Sequence, residues 1–275
     1  MPKLTTNGAE LYYERVGSGE PLLLVHGLLF SAESWRDQVD ALSEDFDVVA
    51  VDLRGQHRSE TTTDAAGYDL WNQAEDIHGL ITQLGLAPTH YAGLSMGGMI
   101  GMRIALRHPE DLRDLILLDT SARPEDPEKV ERYEAMRHVM EKGELEHVLP
   151  ALPPVFFADE YVTGRPEKVE EWFEALRRGN SDGFALASRG VDQRDDISDQ
   201  LAVISLPTLV IHGTEDVPIP VEEAELLASR IPGATLELVE GAGHQSNMDH
   251  PAEVTRLIAG FLATRGAAAP SSSGS

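Results

Sequence analysis

Gly93-Leu94-Ser95-Met96-Gly97 reads G-x-S-x-G. A short apolar run, Tyr91-Ala92, precedes it, reached through a Pro88-Thr89-His90 turn. Gly98-Met99-Ile100-Gly101-Met102-Arg103-Ile104-Ala105-Leu106 follows, with helical spacing and many small residues. The pattern predicts a strand that turns sharply into a helix at the serine. Such a turn strains the serine backbone, and the flanking glycines remove Cβ atoms that would otherwise collide. The hydroxyl is then held at the sheet edge beside a helix N-terminus, where developing negative charge is favoured. A glycine-rich turn with a solvated serine is the plain alternative. The strand–turn–helix context favours a nucleophile.

Around this stretch, short unalternating apolar runs recur: 21–25, 46–52, 115–119, 207–211 and 235–239. Runs of this kind suit parallel strands buried on both faces. Helical patterns lie between them at 34–42, 70–84, 96–108, 220–230 and 251–264. Alternation of the two predicts an α/β fold with a mostly parallel, doubly wound sheet. Residues 8–15 read instead as an antiparallel edge hairpin. The alternation breaks from Arg123 to Leu201, where charge and proline mix with helical patterns (130–142, 166–178) and aromatic clusters. That stretch is too long for a loop, and its interleaved aromatics argue against a disordered linker. It reads as a helical cap over 123–201, inserted into a core made of 1–122 and 202–265. Residues 266–275 have linker composition and read as a flexible tail.

The chain has 275 residues, 41% of them hydrophobic, enough for one large domain with an insertion. It contains no cysteine, which rules out a disulfide, a thiolate metal site and a cysteine nucleophile. Asp and Glu number 47 against 22 Lys and Arg, giving a net charge of −25. That field repels nucleic acid and anionic membranes. The N-terminal residues lack a signal-peptide apolar region, and no run approaches a membrane span. A cytoplasmic location is the default expectation. Oligomeric state is open.

A serine hydroxyl needs a base. Among 10 histidines, His244 follows the last strand-like run in Glu240-Gly241-Ala242-Gly243-His244, where glycines let a loop fold back over the sheet. His26 is the rival, but a histidine in His26-Gly27 more often braces a turn. The base needs a carboxylate partner. Asp216 stands just past the 207–211 run, and the order Ser95, Asp216, His244 fits the fold. Asp119, at the end of the 115–119 run, is the alternative acid. An oxyanion hole needs two N–H donors. Met96 supplies one, and the loop His26-Gly27-Leu28-Leu29-Phe30 supplies the other, through Leu28.

Taken together, His26-Gly27-Leu28, Asp52-Leu53-Arg54-Gly55, Gly93-Leu94-Ser95-Met96-Gly97-Gly98, Gly213-Thr214-Glu215-Asp216 and Gly243-His244 give a chain that resembles the α/β-hydrolase superfamily over residues 4–264. The elbow is similar to that of enol-lactonase-like and small esterase members. One segment departs from the family pattern: Arg54-Gly55-Gln56-His57-Arg58-Ser59 has His57 where a second glycine is usual. A serine at the elbow argues against haloalkane dehalogenase and epoxide hydrolase chemistry, which the resemblance would tie to an aspartate there.

The expected activity is hydrolysis of carboxylic esters or lactones of small to medium apolar acyl groups through an acyl-enzyme. Cofactor-free perhydrolase or haloperoxidase chemistry, carbon–carbon bond hydrolysis and a ligand receptor are alternatives on the same scaffold. The expected partner is a small-molecule substrate, with no nucleic acid and no membrane. Nothing marks a metal or nucleotide site, so no cofactor is expected. Expected pocket walls are Phe30, Phe156, Phe157, Trp172 and Val217. Arg54 and Arg58 could offset the acidic field for an anionic substrate, but solvated surface is the favoured reading.

Overall fold

A computed structural model gives the fold of residues 2–266. Beyond Gly266, the tail expected at the C-terminus lies outside the described residues. Eight strands form one sheet: β1 (Lys3–Thr6), β2 (Ala9–Gly17), β3 (Glu20–Val25), β4 (Phe46–Val51), β5 (Thr89–Leu94), β6 (Leu112–Leu118), β7 (Thr208–Gly213) and β8 (Thr235–Val239). Their order is β1-β2-β4-β3-β5-β6-β7-β8. The hairpin β1–β2 turns at Asn7-Gly8 and joins β4 antiparallel; β3 to β8 are mutually parallel.

Six helices frame this sheet: α1 (Arg36–Leu42), α2 (Leu70–Leu84), α3 (Met96–Arg107), and, further on, three that follow β7. Alternate residues of each strand enter opposite layers, as a two-unit period requires. Leu23, Val25, Tyr91, Leu115, Leu117 and Val210 pack on Ile77, Leu80, Ile100 and Ile104 of α2 and α3. Leu22, Leu24, Ala92, Leu94, Ile116 and Ile211 pack the other way, onto Val39 and Leu42 of α1 and onto Val254, Ile258 and Leu262 near the C-terminus. The two layers explain why these strands read as continuous apolar runs.

α2 shows how sequence sets an element's bounds. Asp69 accepts from the Asn72 N–H at 2.8 Å and caps the start. Gly85 ends it in the left-handed region, φ 65°. Leu70, Ala74, Ile77, Leu80 and Ile81 recur at helical spacing on the buried face.

Two readings need correction. Thr89 and His90 belong to β5 rather than to a turn, because His90 pairs with Asp114 across β6, Nδ1 to Oδ2 2.6 Å. β8 is not buried on both faces. It is the edge strand, and Leu238 is 46% exposed.

Between β6 and β7 the chain forms α4 (Pro127–Glu141), α5 (Pro153–Phe156), α6 (Asp159–Gly164), α7 (Pro166–Arg178) and α8 (Ser181–Asp192). These helices close around an apolar cluster of their own, with Met140, Leu149, Leu152, Phe157, Tyr161, Trp172, Leu176 and Phe184. Leu29 and Phe30, in the loop after β3, join that cluster and fasten it to the sheet domain. The chain then completes the sheet domain with α9 (Val221–Arg230), α10 (Ser246–Asp249) and α11 (Pro251–Gly266). No helix among the described residues is long and apolar enough to cross a membrane.

Candidate active site

Ser95 sits between the last residue of β5 and the first of α3, with φ 52° and ψ −115°. A non-glycine residue in that region is strained and is held there by its surroundings. Its N–H donates to the Leu118 carbonyl at 2.8 Å. Its own carbonyl accepts from Thr120 Oγ1 at 2.7 Å and from the Met99 N–H at 3.0 Å. The flanking glycines are sterically required. A Cβ on Gly97 would fall 2.2 Å from the Val25 carbonyl oxygen, and one on Gly93 would fall 2.4 Å from the Gly97 backbone.

The loop after β8 brings His244 back over this elbow. Glu215 N–H donates to the Ala242 carbonyl at 2.8 Å, and Gly243 N–H donates to Asp249 Oδ2 at 2.7 Å. His244 Nε2 then lies 2.9 Å from Ser95 Oγ, and Nδ1 lies 2.8 Å from Asp216 Oδ2. Asp216 is fixed at its other oxygen, where Oδ1 accepts from the Ile219 N–H at 2.9 Å. Burial pushes the His244 imidazole towards its neutral form. The charge and hydrogen bond of Asp216, with Asp119 further off, outweigh that and leave it above its ordinary value.

Asp119 does not bond the imidazole. Its Oδ1 accepts from the Gly213 N–H at 2.8 Å, and its Oδ2 lies 2.5 Å from Ser246 Oγ. Burial, aided by the Asp216 carboxylate, pushes it up to about 8. Asp119, His212 and Asp216 offer ligand atoms within 4.8 Å of one another. Those atoms are largely committed elsewhere. His212 Nε2 donates to the Ile219 carbonyl at 3.0 Å, and both aspartates accept backbone N–H bonds. The cluster therefore reads as a hydrogen-bond network behind the imidazole.

The loop after β3 runs against Ser95: a Cβ on Gly27 would lie 3.1 Å from Ser95 Cβ. The N–H groups of Leu28 and Met96 donate to no described residue, leaving two main-chain donors beside the hydroxyl. Leu29, next in the chain, is pinned at both ends. Its N–H donates to Gln56 Oε1 at 3.0 Å, and its carbonyl accepts from Trp172 Nε1 at 3.1 Å. His26 is a brace: Nε2 accepts from the Leu53 N–H at 2.9 Å and Nδ1–H donates to the Gly27 carbonyl at 2.6 Å. Burial lowers it to about 4, which keeps it neutral for this task.

Ser95 and His244 open on a cavity of about 100 Å³ lined mainly by Leu28, Met99, Met136, Leu152, Phe156 and Ile219. Of the expected walls, Phe156 is one. Phe30, Phe157 and Trp172 are not. Phe30 stacks on Trp172 at 4.9 Å and Phe157 on Tyr161 at 4.6 Å, so these rings are used up in packing the inserted helices. Phe30 and Trp172 border a separate outer groove instead. Val217 is 56% exposed and does not line the cavity; its neighbours Pro218 and Ile219 do.

Arg54 and Arg58 are not solvated surface either. Arg54 is 3% exposed and forms a two-toothed pair with Asp76, at 2.8 and 2.5 Å. Arg58 clasps buried Asp52 at 2.7 and 3.0 Å, and Asp52 in turn accepts from the Ala32 N–H at 2.7 Å. Both pairs stiffen the loops beside the site. His57, at the departure from the usual glycine, adopts φ 42° and turns its ring to the Leu29 carbonyl at 3.3 Å.

A strained serine on a strand-to-helix turn, bonded to a histidine and then an aspartate from later strand ends, defines a hydrolase-type site on a doubly wound sheet. The chain belongs to the alpha/beta hydrolase fold family, whose pattern it matches over residues 20–251. It is similar to a thermophilic esterase from Thermogutta terrifontis, with 32% identity, TM-score 0.89, and 96% of this chain and 98% of that one covered. It is also similar to an enol-lactonase from Burkholderia xenovorans, with 27% identity, TM-score 0.89, and 95% and 100% covered. A relative from Acinetobacter baylyi, named (E)-2-((N-methylformamido)methylene)succinate hydrolase, is 29% identical over 268 residues, covering 95% of this chain and 97% of that protein.

Proposed function

We propose that the protein is a serine hydrolase that cleaves carboxylic esters or lactones with short, largely apolar acyl groups. The observation that carries this reading is the unbroken chain Ser95 Oγ–His244–Asp216, at 2.9 and 2.8 Å, opening on an apolar cavity. The likeness to an esterase and an enol-lactonase supports the substrate class. A cavity of about 100 Å³ suits an acyl group of a few heavy atoms.

In this reading His244 Nε2 takes the Ser95 proton as Oγ attacks the carbonyl carbon. The tetrahedral oxyanion is held by the N–H groups of Leu28 and Met96. Asp216 keeps the imidazole proton on Nδ1 and stabilises the imidazolium that forms. His244 returns the proton to the leaving alkoxide, and the acyl group stays on Ser95. Water, deprotonated by His244, then releases the acid. The helices between β6 and β7 serve as a cap over residues 123–201, on a core of 1–122 and 202–265. Substrate is a small molecule, and this chemistry needs no cofactor. The test is p-nitrophenyl acetate turnover by wild type and Ser95→Ala. A loss of about a millionfold in kcat with an unchanged fold is expected. Equal rates would overturn the reading.

A further inference from the structure

Apart from Ser95, His244 and Glu125, the polar side chains on the cavity wall come from α4 and α8, where they alternate with Met136, Met140, Phe184 and Val191. Arg137 on α4 lines it and is 5% exposed. Its Nη1 is hydrogen-bonded to Ser188 Oγ at 3.0 Å and to Asp192. Its Nε is buried with no partner, and its Nη2 donates to no described residue. One turn earlier on the same helix face, the Tyr133 hydroxyl also lines the cavity and bonds to no described residue. A buried N–H without an acceptor is costly; Arg137 Nε is one, and with the uncommitted Tyr133 hydroxyl beside it on the cavity it points to a group that accepts from them.

Charge says what kind of acceptor. The Arg137 guanidinium is already matched by Asp192, whose side chain is 3% exposed. Glu125, also on the cavity, is matched by Arg194 at 3.3 Å. Arg132, the other cation lining it, is exposed to solvent. The two acids and their two arginines cancel, so a carboxylate leaving water here would find no free counter-charge except solvent-exposed Arg132. An uncharged oxygen needs only donors and avoids the cost of burying an unmatched charge.

We infer that Arg137 and Tyr133 form a subsite for an uncharged carbonyl oxygen on the acyl group, so that the preferred substrates are keto-acyl esters or lactones rather than plain alkyl ones. This rests on the esterase reading above and narrows it. The subsite adds binding and orientation, and the chemistry stays at Ser95.

The test compares p-nitrophenyl pentanoate and hexanoate with p-nitrophenyl 4-oxopentanoate and 5-oxohexanoate, each rate normalised to its rate of hydroxide-catalysed hydrolysis. The monoester of glutaric acid is the charged control. In wild type, the better keto ester should exceed its alkyl counterpart in kcat/KM by about tenfold, the worth of one or two good hydrogen bonds. Arg137→Lys keeps the cation facing Asp192 but loses the planar donors; Tyr133→Phe loses only the hydroxyl. Each should pull the keto-to-alkyl ratio towards one. Because the readout is a ratio within one preparation, partial misfolding does not mimic it. A wild-type ratio near one, a ratio unmoved in both variants, or a preference for the glutarate monoester would overturn the subsite while leaving the esterase reading intact. Failure of every ester to turn over would overturn both.

Discussion

Two buried carboxylates stand behind His244, and replacing each by its amide separates their roles. Asp216 uses both oxygens as acceptors, Oδ1 from the Ile219 N–H at 2.9 Å and Oδ2 from His244 Nδ1 at 2.8 Å. Asparagine has one acceptor oxygen. With that oxygen kept on Ile219, the amide NH2 faces Nδ1 and drives the imidazole proton to Nε2. Nε2–H then donates to Ser95 Oγ and no longer accepts its proton. Asp216→Asn should therefore lower kcat by about 10⁴, or about 5.5 kcal/mol in the barrier. Asp119 differs. Burial, aided by the Asp216 carboxylate, disfavours its charged form. In Asp119→Asn the carbonyl keeps the Gly213 N–H, and the NH2 donates to Ser246 Oγ, whose hydroxyl turns from donor to acceptor. What is lost is the long contact from the Ser246 N–H at 3.4 Å, worth under about 1 kcal/mol, so activity should fall by less than about tenfold. Initial rates on p-nitrophenyl acetate, with circular dichroism to confirm the fold, measure both. A larger loss in Asp119→Asn than in Asp216→Asn would refute the assignment of the acid.

Two further outcomes follow from the same geometry. His244 must be neutral to act as base, and its pKa is raised above 6.5. The acid limb of kcat/KM should therefore lie above pH 6.5, with activity lost as pH falls through it; a limb below pH 6 in a full profile would contradict the site electrostatics. Gly97→Ala places a Cβ 2.2 Å from a β3 backbone oxygen that cannot rotate away, so it should cost about 3 kcal/mol or more in a urea titration. A midpoint equal to wild type would show that the elbow is looser than drawn.

How far the sequence could be read depended on whether a constraint was local. Ser95, His244 and Asp216 sit in glycine-bounded turns at strand ends, where backbone geometry leaves few residue types. Their convergence could thus be anticipated from three short motifs. The central strands were readable because both faces are buried. β8 was not, since Leu236 and Leu238 look the same in sequence at an edge as in the middle. The aromatic residues of the insertion are chemically alike. How the inserted helices pack decides that Phe156 meets the cavity while Phe157 and Trp172 pack on each other, on Tyr161 and on Phe30 of the loop after β3. Arg54 and Arg58 were misread for a related reason. A charged residue is usually exposed, and burial becomes possible only through a partner such as Asp76 or Asp52, brought close by the fold. Arg137 and Tyr133 gave no signal in an otherwise polar helix.

Preorganisation of the site resides largely in one strand end outside the reacting trio. Leu118 accepts from the strained Ser95 N–H, and Thr120 donates to the Ser95 carbonyl. Asp119, between them, adopts φ 47° and so turns its side chain to hold Gly213, which precedes the acid loop, and Ser246, which follows the base. Three consecutive residues thus tie the segments that carry Ser95, Asp216 and His244 to a single stretch of backbone. The strain at Ser95 and the burial of a second carboxylate are both unfavourable in isolation. Here the first is stabilised by hydrogen bonds with that segment and the second by donors from Gly213 and Ser246, and the segment's strand is central in the sheet and buried on both faces. Movement of any one of the three loops has to break contacts with β6 before it can separate Ser95 from His244, so the spacing of the reacting atoms inherits the rigidity of the core.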